Sequence, residues 1–220
     1  GRRGGGVAGA VRGDFSSRVD LTGKTVVITG ATSGLGRESA RCLAHTGARV
    51  VLTGRDAAAL ADTQAWISEQ VPQATTATVR MDLTALESVT AAAAEISDLT
   101  PAVHVLMNNA GVMFTPFGRT VDGFEMQFGT NHLGHFALTG RLMPLLRAGQ
   151  ARVTSQTSIA ARSGVINWGD LNWQQTYDGM AAYRQSKIAV GLFGLELNRR
   201  SAAGHWGVTS TIAHPGVAPT

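Results

Sequence analysis

"VVITGATSGLGRESA", residues 26–40, decides the fold. An apolar, β-branched run ending at Thr29 meets Gly30, Gly34 and Gly36, and a stretch of helical period follows. That is a buried strand turning sharply into a helix. Glycines let the main chain bend tightly and approach a ligand closely, and the free N–H groups at a helix N-terminus hold an anion such as a pyrophosphate. The spacing is Gly-x-x-x-Gly-x-Gly rather than the commoner G-x-G-x-x-G, but the physics is shared. A glycine-rich corner alone is weak, since many strand-to-helix turns use one. Its place after the first strand makes a dinucleotide the favoured ligand.

The same alternation continues outward. Short apolar runs at 25–29, 48–52, 76–80, 103–107, 151–156 and 208–213 predict strands, and helical periods at 34–46, 56–71, 83–97, 121–146 and 179–203 predict the helices between them. Strands too apolar to alternate, joined by helical crossovers, imply a parallel sheet covered on both faces. Right-handed crossovers then give a single doubly wound α/β domain of the Rossmann type. Residues 159–178, "IAARSGVINWGDLNWQQTYD", have no clear period and are expected to form an ordered excursion over a site.

The chain has 220 residues, 44% hydrophobic and 15% charged, which suits one globular domain. Its net charge of +4 is concentrated in the first 25 residues, where five basic residues face two acidic ones. The remainder is nearly neutral, which argues against a nucleic-acid partner. Residues 1–22 are expected to be a flexible basic tail and 23–220 the catalytic domain. The tail lacks the apolar run of a signal peptide, and no segment has the ~18 apolar residues of a membrane span. Cys42 has no partner for an internal disulfide, so a reducing, cytoplasmic setting and a half-buried, inert thiol are expected.

The second strand bears on the cofactor. "ARVVLTGRDAAAL", residues 48–60, ends in Gly54 and Arg55 where an NAD-binding domain usually carries a carboxylate for the ribose 2′-hydroxyl. Asp56 starts "DAAAL" and is better taken as a helix N-cap. Arg55, with Arg37 in the first turn of the preceding helix, favours a 2′-phosphate and hence NADP.

One more stretch carries chemistry. "AAYRQSKIAV", residues 181–190, sets Tyr183 four residues before Lys187 in a chain with two tyrosines, two lysines and seventeen arginines. Residues four apart share a helix face. A nearby ammonium favours the phenolate, bringing a tyrosine toward the range of a useful acid or base. Lys is also a compact donor able to reach ribose hydroxyls, where the planar fork of Arg suits a different partner.

With "TGATSGLG" at 29–36, "NNAG" at 108–111 and "YRQSK" at 183–187, the chain from about Gly23 onward resembles the short-chain dehydrogenase/reductase superfamily. "DGFEMQFGTNHLGHFALT" and "AAYRQSKIAVGLFGLEL" look closer to its retinol-dehydrogenase-like and protochlorophyllide-reductase-like branch than to short bacterial ketoreductases. The resemblance implies a diphosphate turn at Thr29, Gly30, Ser33, Gly34, Leu35 and Gly36. It implies an adenine contact at Asp82, and cofactor support from Asn109, Ala110 and Gly111. Its catalytic tetrad would be Asn131, Ser158, Tyr183 and Lys187, with Tyr183 and Lys187 also touching the cofactor. Pro215 and Gly216 would flank the nicotinamide and Thr220 would hold its carboxamide. Two departures stand out. Gln156-Thr157-Ser158 replaces the usual Val-Ser-Ser, which leaves Ser155 a rival to Ser158, although Ser158 follows the strand. The chain also stops at Thr220, where relatives continue through a segment that covers the substrate.

The function so implied is NADP(H)-dependent hydride transfer to or from a carbonyl or alcohol carbon of an apolar small molecule, with a homodimer or homotetramer as possible assemblies. Met113, Phe114, Trp168 and Trp173 could line a pocket or a core. Three rivals are weighed against it. A serine hydrolase lacks its G-x-S-x-G elbow. A metal pair at His132 and His135 lacks a third ligand, so helix packing is favoured for both. A dinucleotide-binding sensor or scaffold without turnover is the remaining alternative.

Overall fold

A computed structural model describes residues 19–216. Its strands are β1 (Thr25–Thr29), β2 (Arg49–Gly54), β3 (Thr75–Arg80), β4 (Val105–Asn108), β5 (Arg152–Gln156) and β6 (Thr209–Ala213). All pair in parallel in the order β3-β2-β1-β4-β5-β6. The crossovers are α1 (Gly34–His45), α2 (Ala57–Gln70), α3 (Leu86–Leu99), a broken helical stretch after β4, and α7 (Gly179–Gly204). Strand order reverses between β1 and β4, so a crevice opens at the carboxyl ends of those two strands.

Successive strand residues face opposite sides, and both sides are apolar. Val26, Ile28, Val50 and Leu52 pack under α1 and α2 against Ala40, Ala44, Leu60 and Ile67. Val27, Val51, Val79, Leu106 and Val153 pack on the other face against Val89, Ile96, Leu138, Leu142 and Leu197. Each such burial contributes roughly 1.5–3 kcal/mol, which is why these strands show no polar alternation. Asp56 caps α2 by accepting from the N–H groups of Ala58 and Ala59, and Asp178 caps α7 in the same way through Met180 and Ala181. Cys42 is half-buried on α1, and burial pushes its thiol pKa up.

The largest correction concerns residues 121–146, expected as one helix. Thr120 to Gly123 form a turn, with Arg119 bridged to Glu125. Helix starts only at α4 (Met126–Phe128), where the buried Glu125 carboxylate accepts from the N–H groups of Gln127 and Phe128. A π-helical turn follows at Gly129–Leu133, then α5 (Gly134–Arg141), and α6 (Met143–Ala148), which carries Pro144 in its first turn. Pro144 lacks an N–H and so suits a helix start, not a helix interior. The strands predicted at 48–52 and 103–107 run instead to Gly54 and Asn108. Residues 159–178 form an ordered excursion that begins with a 3-10 turn at Ile159–Ser163. No helix among the described residues is long and apolar enough to cross a membrane.

Candidate active site

A cleft of about 530 Å³ lies along the carboxyl ends of β1, β2, β3 and β4. Its floor is the 30–36 turn. Gly30 has φ +67°, and a Cβ there would sit 2.9 Å from the Ala110 Cα. A Cβ on Gly36 would sit 2.1 Å from the Gly30 carbonyl oxygen. The main chain is therefore packed against itself, and no side chain fills the start of α1. Ser33 sits at the N-cap without a side-chain capping bond, and the first turn of α1 carries no acid. The opening N–H groups of α1 are thus free for an anion, as a diphosphate requires.

Asn109 braces the turn by donating its side-chain Nδ2–H to the Thr29 carbonyl (2.9 Å). The Asn109 and Ala110 N–H groups both donate to the Thr29 hydroxyl. Gly54, Arg55, Asp82, Asn109, Ala110 and Gly111 all line the cleft. At its β2 end the available cation is Arg55. Arg37, expected beside it, stacks its guanidinium 4.3 Å from the Trp66 ring centre and lies outside the cleft lining. Glu38 lines the cleft, which the sequence reasoning missed, but it is paired with Arg41. Asp82 turns one carboxylate oxygen to the Thr84 N–H and hydroxyl.

The other end of the cleft reaches the Gln156 carbonyl, which accepts from the Lys187 ammonium at 2.9 Å. That ammonium is 3.4 Å from where a Gly111 Cβ would stand and 5.8 Å from the Tyr183 ring centre. Lys187 is 5% exposed and Tyr183 9%, so α7 carries both on one buried face. Burial lowers the Lys187 pKa to about 8. Ser158 caps the 3-10 turn after β5 by accepting from the Ala160 N–H (3.2 Å), and its own O–H remains available to donate. Its rival Ser155 is enclosed within β5 beside the Asn108 side chain. Thr157 ties the same loop to α7 by donating to the Lys187 carbonyl.

Asn131 sits in the π-helical turn. Its Oδ1 accepts from the Val112 N–H (2.8 Å), while Nδ2 donates to the Val112 carbonyl and the Ser186 hydroxyl. The main-chain carbonyl of Asn131 accepts from His135 Nδ1 (3.0 Å). Because a carbonyl can only accept, Nδ1 carries the proton, and Nε2 takes the Thr29 hydroxyl at 2.8 Å. Burial lowers the His135 pKa to about 4, so the ring is neutral. His132 packs instead among Phe128, Phe136 and Phe193.

The sequence profile of the short chain dehydrogenase family matches residues 24–220. The chain belongs to the short-chain dehydrogenase/reductase superfamily. It falls in the retinol-dehydrogenase-like branch. Human retinol dehydrogenase 13 is 42% identical over 210 residues, covering 94% of this chain and 63% of that protein. Mouse polyprenol dehydrogenase is 40% identical over 217 residues, covering 96% and 65%. The chain thus spans somewhat under two thirds of the length of these relatives. A crystallised protein from Mycobacterium paratuberculosis superposes with a TM-score of 0.80 at 40% identity, over 93% of this chain and 73% of that one. The Pseudomonas aeruginosa RhlG/NADP active-site complex superposes with a TM-score of 0.73 at 25% identity, over 91% and 75%.

Within this short-chain dehydrogenase/reductase frame, Asn131 and Lys187 meet behind Gly111 at one end of the cleft with Tyr183 beside Lys187, and Ser158 stands on the loop after β5; none of the four is among the residues that line the cleft itself. Pro215 and Gly216 are exposed beyond β6 and do not line the cleft. Thr220 lies outside the described residues. Sequence reasoning missed Glu125, Gln127 and Ser186, all buried, and left His135 as packing. The available signal was a polar series, Glu125, Gln127, Asn131 and His135, inside an otherwise apolar stretch.

Proposed function

We propose that this chain transfers hydride between NADP(H) and the carbonyl or alcohol carbon of an apolar small molecule. The observation that carries the reading is the Lys187 ammonium, buried between the cleft wall and the face of Tyr183. A bound nicotinamide supplies the hydride. In reduction, the Tyr183 phenol gives its proton to the carbonyl oxygen as the carbon becomes C–H; in oxidation it takes that proton back. The Ser158 O–H donates to the same oxygen as negative charge builds there. Lys187 holds the ribose hydroxyls and keeps positive charge beside the phenol. Asn131 fixes the Val112 loop against α7 through Ser186, keeping the cleft wall in register with Tyr183.

NADP is favoured over NAD because Arg55 borders the cleft at the tip of β2 while Asp56 is occupied as a helix cap. The RhlG complex and a metagenomic short-chain oxidoreductase 25% identical to this chain, both solved with NADP, support that choice. The free thiol of Cys42 suits a reducing, cytoplasmic setting. Exposed Phe136 on α5 and Leu192 on α7 support self-association through those helices. We take the catalytic domain to begin near residue 23.

The test is NADPH oxidation against a panel of aldehydes, ketones and quinones, run beside the Tyr183→Phe variant. Turnover should fall about 10³-fold in the variant, with NADPH affinity within a few-fold of the parent. Full activity in Tyr183→Phe would refute the assignment. A lower KM for NADH than for NADPH would remove the cofactor choice, and NADPH binding without oxidation of any carbonyl would favour a sensor.

A further inference from the structure

The segment "DGFEMQF", residues 122–128, has no part in the mechanism above, yet it holds two fully buried polar side chains, Glu125 and Gln127, both 0% exposed. Gln127 spends its side-chain amide on other segments. Its Oε1 accepts from the Phe114 N–H (3.0 Å), and its Nε2 donates to the Tyr177 hydroxyl (3.0 Å) and the Gly179 carbonyl (2.8 Å). Tyr177 in turn donates to the Thr115 carbonyl (2.9 Å) and packs edge-on against Phe117. Glu125 fixes Gln127 from behind by accepting its main-chain N–H, while the Asn172 side chain accepts from the Glu125 N–H.

One of these bonds holds the Phe114 N–H, and the Tyr177 hydroxyl holds the next residue, Thr115. The φ of Phe114 is +57°, a left-handed conformation that a bulky residue holds only where its surroundings impose it. The conformation turns its ring over Tyr183, with centroids 6.2 Å apart and planes 26° from parallel, within the range of aromatic contact. Phe114 is 53% exposed, so the residue meets solvent beside the phenol that the mechanism uses.

We propose that Phe114 is the apolar wall of the carbonyl site and that Gln127 is the positioning residue that holds it there. A large apolar carbonyl compound then rests against the Phe114 ring while its oxygen meets Tyr183. A small one gains little from that wall. This inference rests on the acid/base assignment of Tyr183 in the proposed function.

Octanal and propanal are the probes, with NADPH oxidation read for the parent chain, Phe114→Ala, Gln127→Leu and the double variant. The ratio of kcat/KM for octanal to that for propanal should fall about tenfold in each single variant. The double variant should fall no further, because two residues acting through one contact are not additive. The KM for NADPH should stay within twofold, which separates a lost wall from general disruption. An unchanged ratio in Phe114→Ala overturns the wall. Losses that multiply in the double variant overturn the positioning role of Gln127. If Gln127→Leu does not fold, Tyr177→Phe, which removes only the hydroxyl bridging Gln127 to Thr115, should give a smaller fall of about threefold, and no fall overturns the positioning role. A parent chain that oxidises NADPH with neither aldehyde but with other carbonyls overturns the wall alone. One that oxidises NADPH with no carbonyl overturns the proposed function, and the wall with it.

Discussion

The two ends of the cleft are built from different materials. At the β1–α1 corner the structure is main chain against main chain: Gly30 at positive φ, Gly36 with no room for a Cβ, and helix N–H groups facing outward. Around Tyr183 it is buried polar side chains bonded to main chain and to one another across long sequence distances. Gln127 spans to Phe114 and Gly179, Asn131 to Val112 and Ser186, and His135 to Thr29. A backbone-built site tolerates changes of side-chain chemistry but not of side-chain volume. A site held by buried polar groups is open to loss of any one donor or acceptor and to titration, because each orphaned partner then carries its own desolvation cost.

Lys187→Met gives the largest expected effect and separates function from stability at the polar end. Turnover should fall by about 10³-fold, as for loss of a group needed at the reacting centre. Stability at pH 7 should rise, by about 1–2 kcal/mol after allowing for the lost bond to Gln156. Burial lowers the Lys187 pKa from 10.5 to about 8, so the native chain carries the cost of a buried ammonium below pH 8. That cost is relieved as pH rises from about 8 to 10.5, where the native lysine loses its proton before the unfolded one. The variant's advantage in thermal midpoint should therefore shrink across that window. A lower midpoint than the parent at pH 7 would mean the ammonium is well compensated, and the contrast between the two ends would narrow.

Gly36→Ala probes the backbone end. A single methyl would meet the Gly30 carbonyl oxygen, which is main chain, at 2.1 Å, and the Asn109 side-chain Nδ2, held by its bond to the Thr29 carbonyl, at 2.6 Å. NADPH affinity should fall about 100-fold and stability by about 1–3 kcal/mol, read by fluorescence titration and urea unfolding. Near-parent affinity would show that the turn has slack and that the cofactor does not depend on this close approach.

The contrast also explains what was legible in the sequence. The β1 strand and the start of α1 match residue for residue, because Val26 to Gly36 contains its own determinants: β-branched residues that want a sheet, then glycines that want a turn. Lys187 beside Tyr183 was readable for the same reason, since i,i+4 neighbours meet on any helix. The broken stretch from Thr120 to Ala148 was not. Glu125, Gln127, Asn131 and His135 keep near-helical spacing, so their local pattern hides a turn and a π-helical bulge. These polar groups are stabilised by partners such as Asn172, 47 residues away, and Thr29, 106 residues away. Arg37 failed for a related reason: nothing near it in sequence announces Trp66, whose ring takes its guanidinium.

The smallest expected effect tests whether the polar network reaches the backbone end. His132 and His135 both have pKa values pushed to about 4 by burial, against 6.5 when unfolded. Between those values the unfolded chain binds protons that the native chain refuses. Their stabilising contribution is therefore present above pH 6.5 and is lost as pH falls toward 4. Two such groups give a slope of about 2.7 kcal/mol per pH unit in mid-window, and His135→Gln should cut that share to about 1.4, since one titrating group remains. Urea unfolding of parent and variant at pH 5, 5.5 and 6 measures the difference. If the slopes coincide, His135 takes up its proton in the native state too. It then cannot accept the Thr29 hydroxyl, and the link from the Asn131 turn to the 30–36 corner is not the neutral imidazole bridge described above. If the slope halves while the variant binds NADPH as the parent does, the bridge exists but the corner holds its shape without it, and the two ends of the cleft are energetically separate.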